Sequence, residues 1–354
     1  MKESICKDFL RAASITVLAV LSYTPCAQSE ESERKVPEQQ RNHENVRKEQ
    51  DYEGIFSASL ENDIFSGTDK HYTNGVRFAF LSAENNVPDW IKSAVNYLPV
   101  VSNDAHRRWH FSMGQSMFTP KDITNPSFQP NDRPYAGWLY GSVGVISDTG
   151  KRLDNVQLTL GMVGPASGAE HTQRFVHKVI DSPKPEGWDH QLRNEVGVNL
   201  VMERKWRGIY ELSPFGWAVD VTPSLGASIG NVYTHASTGA VFRFGYDLPS
   251  DYGPPLIRPS LPGSDFFIPQ KDFGWYLFAG VEGRAVARNI FLDGNTFKDS
   301  HSVDKFPLVG GIQGGIAFTI YDTRIAYTHM IRTKEFHGQD KNDEFGAITV
   351  SFRF

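Results

Sequence analysis

Two groups of residues, far apart in the chain, carry side chains suited to hydrolytic chemistry. The first runs Ser59-Leu60-Glu61-Asn62-Asp63, then Thr68-Asp69, then His71-Tyr72-Thr73-Asn74-Gly75. Carboxylate, amide and hydroxyl oxygens gathered in this way are the hard donors that a calcium ion takes. Asn-Asp and Asn-Gly are also turn formers, so spacing alone leaves a plain β-hairpin open. The second group is Glu170, Gln173 and His177. Three- and four-residue spacing on a helix stacks all three on one face. A histidine beside an amide and a carboxylate can serve as a general base, because the ordinary histidine pKa lies near neutrality; a lone surface histidine is the alternative. We expect no Gly-x-Ser-x-Gly nucleophile elbow, which makes water the direct nucleophile.

These groups need elements to hold them. Ser167 to Ile180 reads as a helix, with Ser167 as N-cap and Glu170 as its capping-box partner. Phe175, Val176, Val179 and Ile180 supply apolar contacts elsewhere on it. From residue 52 onward the chain is a procession of alternating segments. The last is the clearest: Ile348, Val350, Phe352 and Phe354 fall on one face, with small or polar residues on the other. A period of two with one apolar face is the barrel-strand pattern, and a terminal Phe closing it resembles the C-terminal signal of outer-membrane barrels. An ordinary edge strand is the bland alternative.

Similar segments lie at 52–60, 72–82, 108–116, 135–146, 154–163, 195–204, 217–229, 238–246, 274–286, 308–320 and 322–332, and with 347–354 they make twelve. Trp109, Trp138, Tyr140, Trp217, Trp275 and Tyr276 stand near segment ends, where an interfacial girdle would sit. A soluble sandwich with core aromatics is the rival architecture. The longer connections are 83–107, with an amphipathic piece from Trp90 to Leu98, then 164–194, and 247–273, which is rich in Pro and Gly. Function is usually grafted on such loops.

The ends and the composition narrow the class. Lys2 and Lys7, the apolar run Ala12 to Tyr23 and the small residues around Ala27 read as a secretory signal peptide over residues 1–27. A lipoprotein leader acylated at Cys26 is the rival, and Pro25 and Tyr23 fit it poorly. Cleavage after Ala27 would remove both cysteines, leaving no disulfide or thiolate chemistry. Residues 28–50 are charged and polar and read as a disordered linker, and residues 51–354 as one barrel domain. A net charge of -5 without a basic aromatic stripe asks for no nucleic acid. Beyond the leader no apolar run is long enough for a spanning helix, so a membrane protein of this sequence must be a closed sheet.

The segments Ser59-Leu60-Glu61-Asn62-Asp63, Tyr72-Thr73-Asn74-Gly75, Asp132-Arg133-Pro134-Tyr135-Ala136, Gly161-Met162-Val163-Gly164-Pro165, Gln173-Arg174-Phe175-Val176-His177 and the run from Gly187 to Glu195 together resemble the lipid A 3'-O-deacylase (LpxR-like) family. The likeness covers residues 52–354. It implies an all-β fold, a twelve-stranded antiparallel transmembrane barrel with a short helical loop at the site, in the outer membrane of a Gram-negative bacterium. It also implies a calcium-dependent esterase site between barrel wall and helical loop. Carried over, the family's Asn-Asp pair falls on Asn62 and Asp63, its threonine on Thr73, and its Gln and His on Gln173 and His177. The chain departs from the family where Pro183 replaces a Glu six residues after the histidine, and where only Lys121 stands loosely for a basic residue in the loop after the third strand.

The resulting expectation is a monomeric hydrolase that removes the 3'-linked acyloxyacyl group of lipid A. His177 would activate water, Asn62 would donate to the oxyanion and calcium would lie on Asp63 with Thr73 and Gln173. A passive pore and a glycerophospholipid esterase are the alternatives.

Overall fold

The computed structural model describes residues 51–63, 71–96, 105–208, 216–254 and 265–354. The leader and linker expected over 1–27 and 28–50 lie outside these residues, as do Thr68 and Asp69. Twelve strands form one closed antiparallel barrel: β1 (Ile55–Asn62), β2 (His71–Leu81), β3 (His106–Thr119), β4 (Ala136–Asp148), β5 (Arg152–Val163), β6 (Glu195–Trp206), β7 (Trp217–Gly230), β8 (Tyr233–Tyr246), β9 (Phe273–Asn289), β10 (Leu308–Ile320), β11 (Thr323–Arg332) and β12 (Asp343–Arg353). Each strand pairs with its sequence neighbours, and β1 closes the ring on β12 with Ile55 opposite Arg353 and Asn62 opposite Gly346. Each of the twelve alternating segments is thus a strand, displaced at its ends by a few residues.

Polarity is inverted relative to a water-soluble sheet. Along β1 Ser57, Ser59 and Glu61 are buried with Ile55 on the inner face, while Phe56 and Leu60 are exposed. Along β12 Thr349 and Ser351 are buried, and Ile348, Val350 and Phe352 face out. Hydroxyl pairs cross the strands on the inside, Ser57 with Ser351 at 2.9 Å and Ser59 with Thr349 at 3.0 Å. An apolar belt outside and hydrogen-bonded polar groups within is what hydrocarbon demands of a barrel. Trp217, stacked on Phe244 and edge-on to Trp275, supplies part of the expected aromatic girdle. Trp138, Tyr140 and Tyr276 do not belong to it. They are buried, Trp138 and Tyr140 packing with Phe291 and Tyr233 in one inner cluster and Tyr276 with Phe278 in another. Alternation decides their side, and their place near strand ends does not.

The lumen is filled at both ends. At the end that carries the strand termini Ile55 and Arg353, the β8–β9 connection turns inward, and its Tyr252, Phe266 and Phe267 pack on Ile55, Leu81, Ile146 and Leu153. Buried ion pairs fix it there. Arg77 holds Asp265 through two bonds of 3.1 and 2.6 Å, and Asp251 is shared by Arg243 and by Arg324 at 3.0 Å. At the other end α3 (Ile290–Asp293), between β9 and β10, puts Phe291 flat against Phe118, with ring centroids 4.1 Å apart. A passive pore needs a continuous hydrated lumen, so this filling weighs against that alternative. A further helix, α1 (Asp89–Asn96), realises most of the amphipathic piece and packs Ile91 with Val87 on the outward-facing Val143 and Val145.

Removing one partner of a buried ion pair leaves the other charge stranded, at a cost of about 3–5 kcal/mol. Asp251→Ala should therefore lower the temperature at which the heat-modifiable gel band converts to the unfolded one. β-rich circular dichroism should persist below that temperature. An unchanged conversion temperature would show that the inward connection does not brace the barrel.

Candidate active site

The first group of predicted residues sits at the end of β1 and β2 remote from the barrel's terminal strand ends. Counting from the lumen-facing Ser57, Ser59 and Glu61 places Asn62 on the outer face, where a residue in a bare wall would meet lipid. It is nevertheless only 8% exposed, as is Asn74 directly opposite it on β2. Asp63 follows and is 1% exposed. Thr73 is the extra residue of a β-bulge between Tyr72 and Asn74, and its hydroxyl lies 2.7 Å from that of Thr119 on β3. Bulges re-aim side chains at strand ends, and here the bulge lets Tyr72 turn inward to donate to Glu61 while Thr73 pairs with Thr119.

The second group lies on α2 (Ala169–Ile180), in the β5–β6 connection. The helix packs against the outside of the wall. Its seat is Gly137, on the outward face of β4, where any Cβ would collide with Ser167 Oγ and Ala169 Cβ. Gln115 Nε2 of β3 donates to the Ser167 carbonyl at 2.7 Å. Ala169 and Trp188 join Met117 and Tyr135 in a buried cluster beneath it.

One expectation about this helix needs correction. Ser167 is not its N-cap: Pro165–Ser167 form a separate 3-10 turn, and the helix starts from Gly168 in the left-handed region, at φ 71°, with no side-chain cap. Glu170 lies at the edge of the buried stripe of Ala169, Gln173 and His177, where it is only partly buried and pairs with Arg174 at 2.9 Å. Phe175, Val179 and Ile180 are exposed, Phe175 to 68%, so the apolar side of α2 faces away from the wall.

His177 and Gln173 are both oriented by fixed partners. The Nδ1 of His177 lies 2.6 Å from the Pro183 carbonyl oxygen. A carbonyl only accepts, so Nδ1 carries the proton in that bond, and Nε2 of the neutral ring keeps its lone pair. The position where the family pattern has a carboxylate thus supplies a backbone acceptor instead. Gln173 Oε1 accepts from Trp188 Nε1 at 2.8 Å, and Gln173 Nε2 meets no acceptor among the described residues.

Asn62 pairs with Asn74, Asn74 with Met117, and Met117 packs with Ala169 and Trp188. Strands lie about 4.8 Å apart, so the two groups occupy one patch of outer wall about two strand spacings wide. Sequence reasoning gave no role to Asn74, Thr119 or Trp188, although Asn74 and Trp188 lie within motifs it singled out. Lys121 is engaged elsewhere, paired with Asp340 at 2.5 Å across two loops, a bond that raises its pKa. One run, Gly226-Ala227-Ser228-Ile229-Gly230, does match the letters of a nucleophile elbow, contrary to expectation. It lies inside β7, where Ser228 accepts from Asn199 at 2.6 Å, so the strand-turn-helix context is missing.

Comparison with known proteins gives a match between residues 14–354 and the family described as "Outer membrane protein LpxR". LpxR from Salmonella typhimurium is similar in structure, with a TM-score of 0.69 at 20% identity over 85% of this chain and 100% of that one, a likeness that establishes the fold. The β-domain of the Bordetella autotransporter BrkA aligns at a TM-score of 0.40 and 9% identity, over 86% of this chain and 99% of that one. No curated protein matches. For the site itself, Gly137→Val should leave the barrel heat-modifiable and unseat α2, which limited trypsin digestion would report as new cleavage at Arg174 or Lys178. A loop as resistant as the wild type would show that Gly137 is not the seat.

Proposed function

Because the chain belongs to the LpxR family of outer-membrane proteins, whose activity is lipid A deacylation, we propose that it releases the 3'-linked acyloxyacyl group by direct attack of a water that His177 deprotonates. Its substrate is lipopolysaccharide in the outer membrane where the barrel resides. The observation that carries the mechanism is the bond from His177 Nδ1 to the Pro183 carbonyl, which fixes the tautomer and makes Nε2 the basic nitrogen. That nitrogen takes a proton from water as the oxygen bonds to the ester carbonyl carbon. The imidazolium then returns the proton to the sugar oxygen as the ester C–O bond breaks, so the ring ends as it began. Asn62, on the lipid-facing side of the wall, donates its amide N–H to the carbonyl oxygen as negative charge gathers there. All of these groups come from one chain, which supports a monomer as the working unit.

The oxygen-rich patch fits a hard divalent cation. Asp63 contributes a buried carboxylate and Thr73 a hydroxyl, and residues 27–354 contain no cysteine to offer a thiolate. Calcium held there would polarise the ester carbonyl. Among the described residues no cluster of three or more Asp, Glu, His or Cys surrounds it. A site with few charged ligands binds calcium weakly, on the order of 10⁻⁴–10⁻³ M as in extracellular modules.

Mass spectrometry of lipid A from cells expressing the protein should show loss of the 3' acyl groups, with phospholipid profiles unchanged. A changed phospholipid profile with intact lipid A would favour the glycerophospholipid esterase. His177→Ala should insert and migrate as the wild type does and lose activity by about a hundredfold or more. Chelation should abolish activity and millimolar calcium restore it, whereas full activity after exhaustive chelation would remove Asp63 and Thr73 from the proposed role.

A further inference from the structure

We propose that Trp188 is a positioning residue that turns the Gln173 amide so that its Nε2 donates to the reacting carbonyl oxygen. The inference rests on the reading of His177 as the general base and adds a second hydrogen-bond donor to that site. The indole N–H of Trp188 can only donate, so the amide atom 2.8 Å from it is the oxygen. The opposite end of the amide is then NH₂, buried and lacking an acceptor among the described residues. Buried donors are almost always satisfied, and one left open beside a candidate base marks where an acceptor from the substrate fits.

Gln173 lies one helical turn before His177 on the same buried stripe. Both side chains therefore reach the same patch of wall, where the ester must lie for His177 to activate its water. Trp188 itself cannot turn away. It is wholly buried, its ring 5.0 Å from that of Tyr135 and packed with Met117 and Ala169. A Gln173 that ligated a cation through Oε1 would have to share that oxygen with the indole, so the geometry assigns it the donor's part.

The test is a double-mutant cycle on the purified full-length protein, with lipid A in mixed detergent micelles and calcium present. Heat-modifiable migration serves as the folding check. Gln173→Ala should lower kcat about a hundredfold, the usual loss for one oxyanion donor. Trp188→Phe keeps the ring and removes the N–H, and should lower kcat about tenfold with KM unchanged. In the Gln173→Ala background Trp188→Phe should cost nothing more, because it acts through the missing amide. Equal losses in both backgrounds would make Trp188 merely structural and overturn the proposal. Gln173→Glu keeps an oxygen for the indole and loses the donor, so it should be as slow as Gln173→Ala, with calcium binding unchanged when calcium chloride is titrated by calorimetry. Retained activity with tighter calcium binding would instead make Gln173 a ligand and overturn the proposal. A fully active His177→Ala would overturn the general-base reading, whereas additive losses alongside an inactive His177→Ala would overturn the assignment of Trp188 alone.

Discussion

In hydrocarbon an unpaired backbone amide has no water to turn to, so the first strand of the chain must be bonded on both sides before any of the rest can stand. β1 meets that requirement by pairing with β2 along one edge and with β12, the last strand, along the other. The same pairing that closes the ring builds the site. Asn62 is the final residue of β1 and lies between Asn74 and Gly346, so its place in the wall is set by a strand on each side. A slip of one residue would turn every side chain of β1 to the other face, sending Asn62 into the lumen and Glu61 toward lipid.

Closure also explains why the interior can be filled without loss of function. The β8–β9 connection and α3 occupy the two ends of the lumen, and the charged side chains there find partners in one another, Arg77 with Asp265, Arg243 and Arg324 with Asp251. Pairs of this kind hold only when both members are present and well placed. The chemistry we propose uses the outer face, between the wall and α2. A lipid substrate can reach that face from the membrane without entering the barrel, and the exposed Phe175, Val179 and Ile180 let the helix sit among acyl chains.

The strands were legible in the sequence because a period of two with one apolar face is a local signal, complete within each segment. Even the inverted polarity could be read from Ile348, Val350 and Phe352 against Thr349 and Ser351. Local signals also misled. Ser167 and Glu170 have the letters of a capping box, but Gly164 and Gly168 bend the chain so that Ser167 ends a separate turn buried against Gly137. Trp138 and Tyr140 stand near strand ends as girdle residues do, yet their parity turns them inward. The residues expected to do chemistry were found through motifs. The groups that orient them were not, because their contacts leave no side-chain pattern at any fixed spacing. Trp188 reaches Gln173 from fifteen residues along the chain, Thr119 reaches Thr73 from the next strand, and Pro183 acts through a carbonyl that every residue possesses.

That last contact bears on the departure from the family pattern. A carboxylate six residues after the histidine could bring a second negative charge to the site, and Pro183 brings none. Charge is costly where the surroundings are hydrocarbon, and the proposed cation would be held more weakly by a site with fewer carboxylates. The orientation of His177 does not suffer, because an imidazole N–H is directed as well by a peptide carbonyl as by a carboxylate. Proline suits the position for a further reason. With φ fixed and no N–H of its own, it restricts the backbone that carries the acceptor, and α2 ends three residues earlier at Ile180, with Asp181 in the left-handed conformation at φ 55°. The turn that stops the helix is therefore also the turn that carries the acceptor for its histidine.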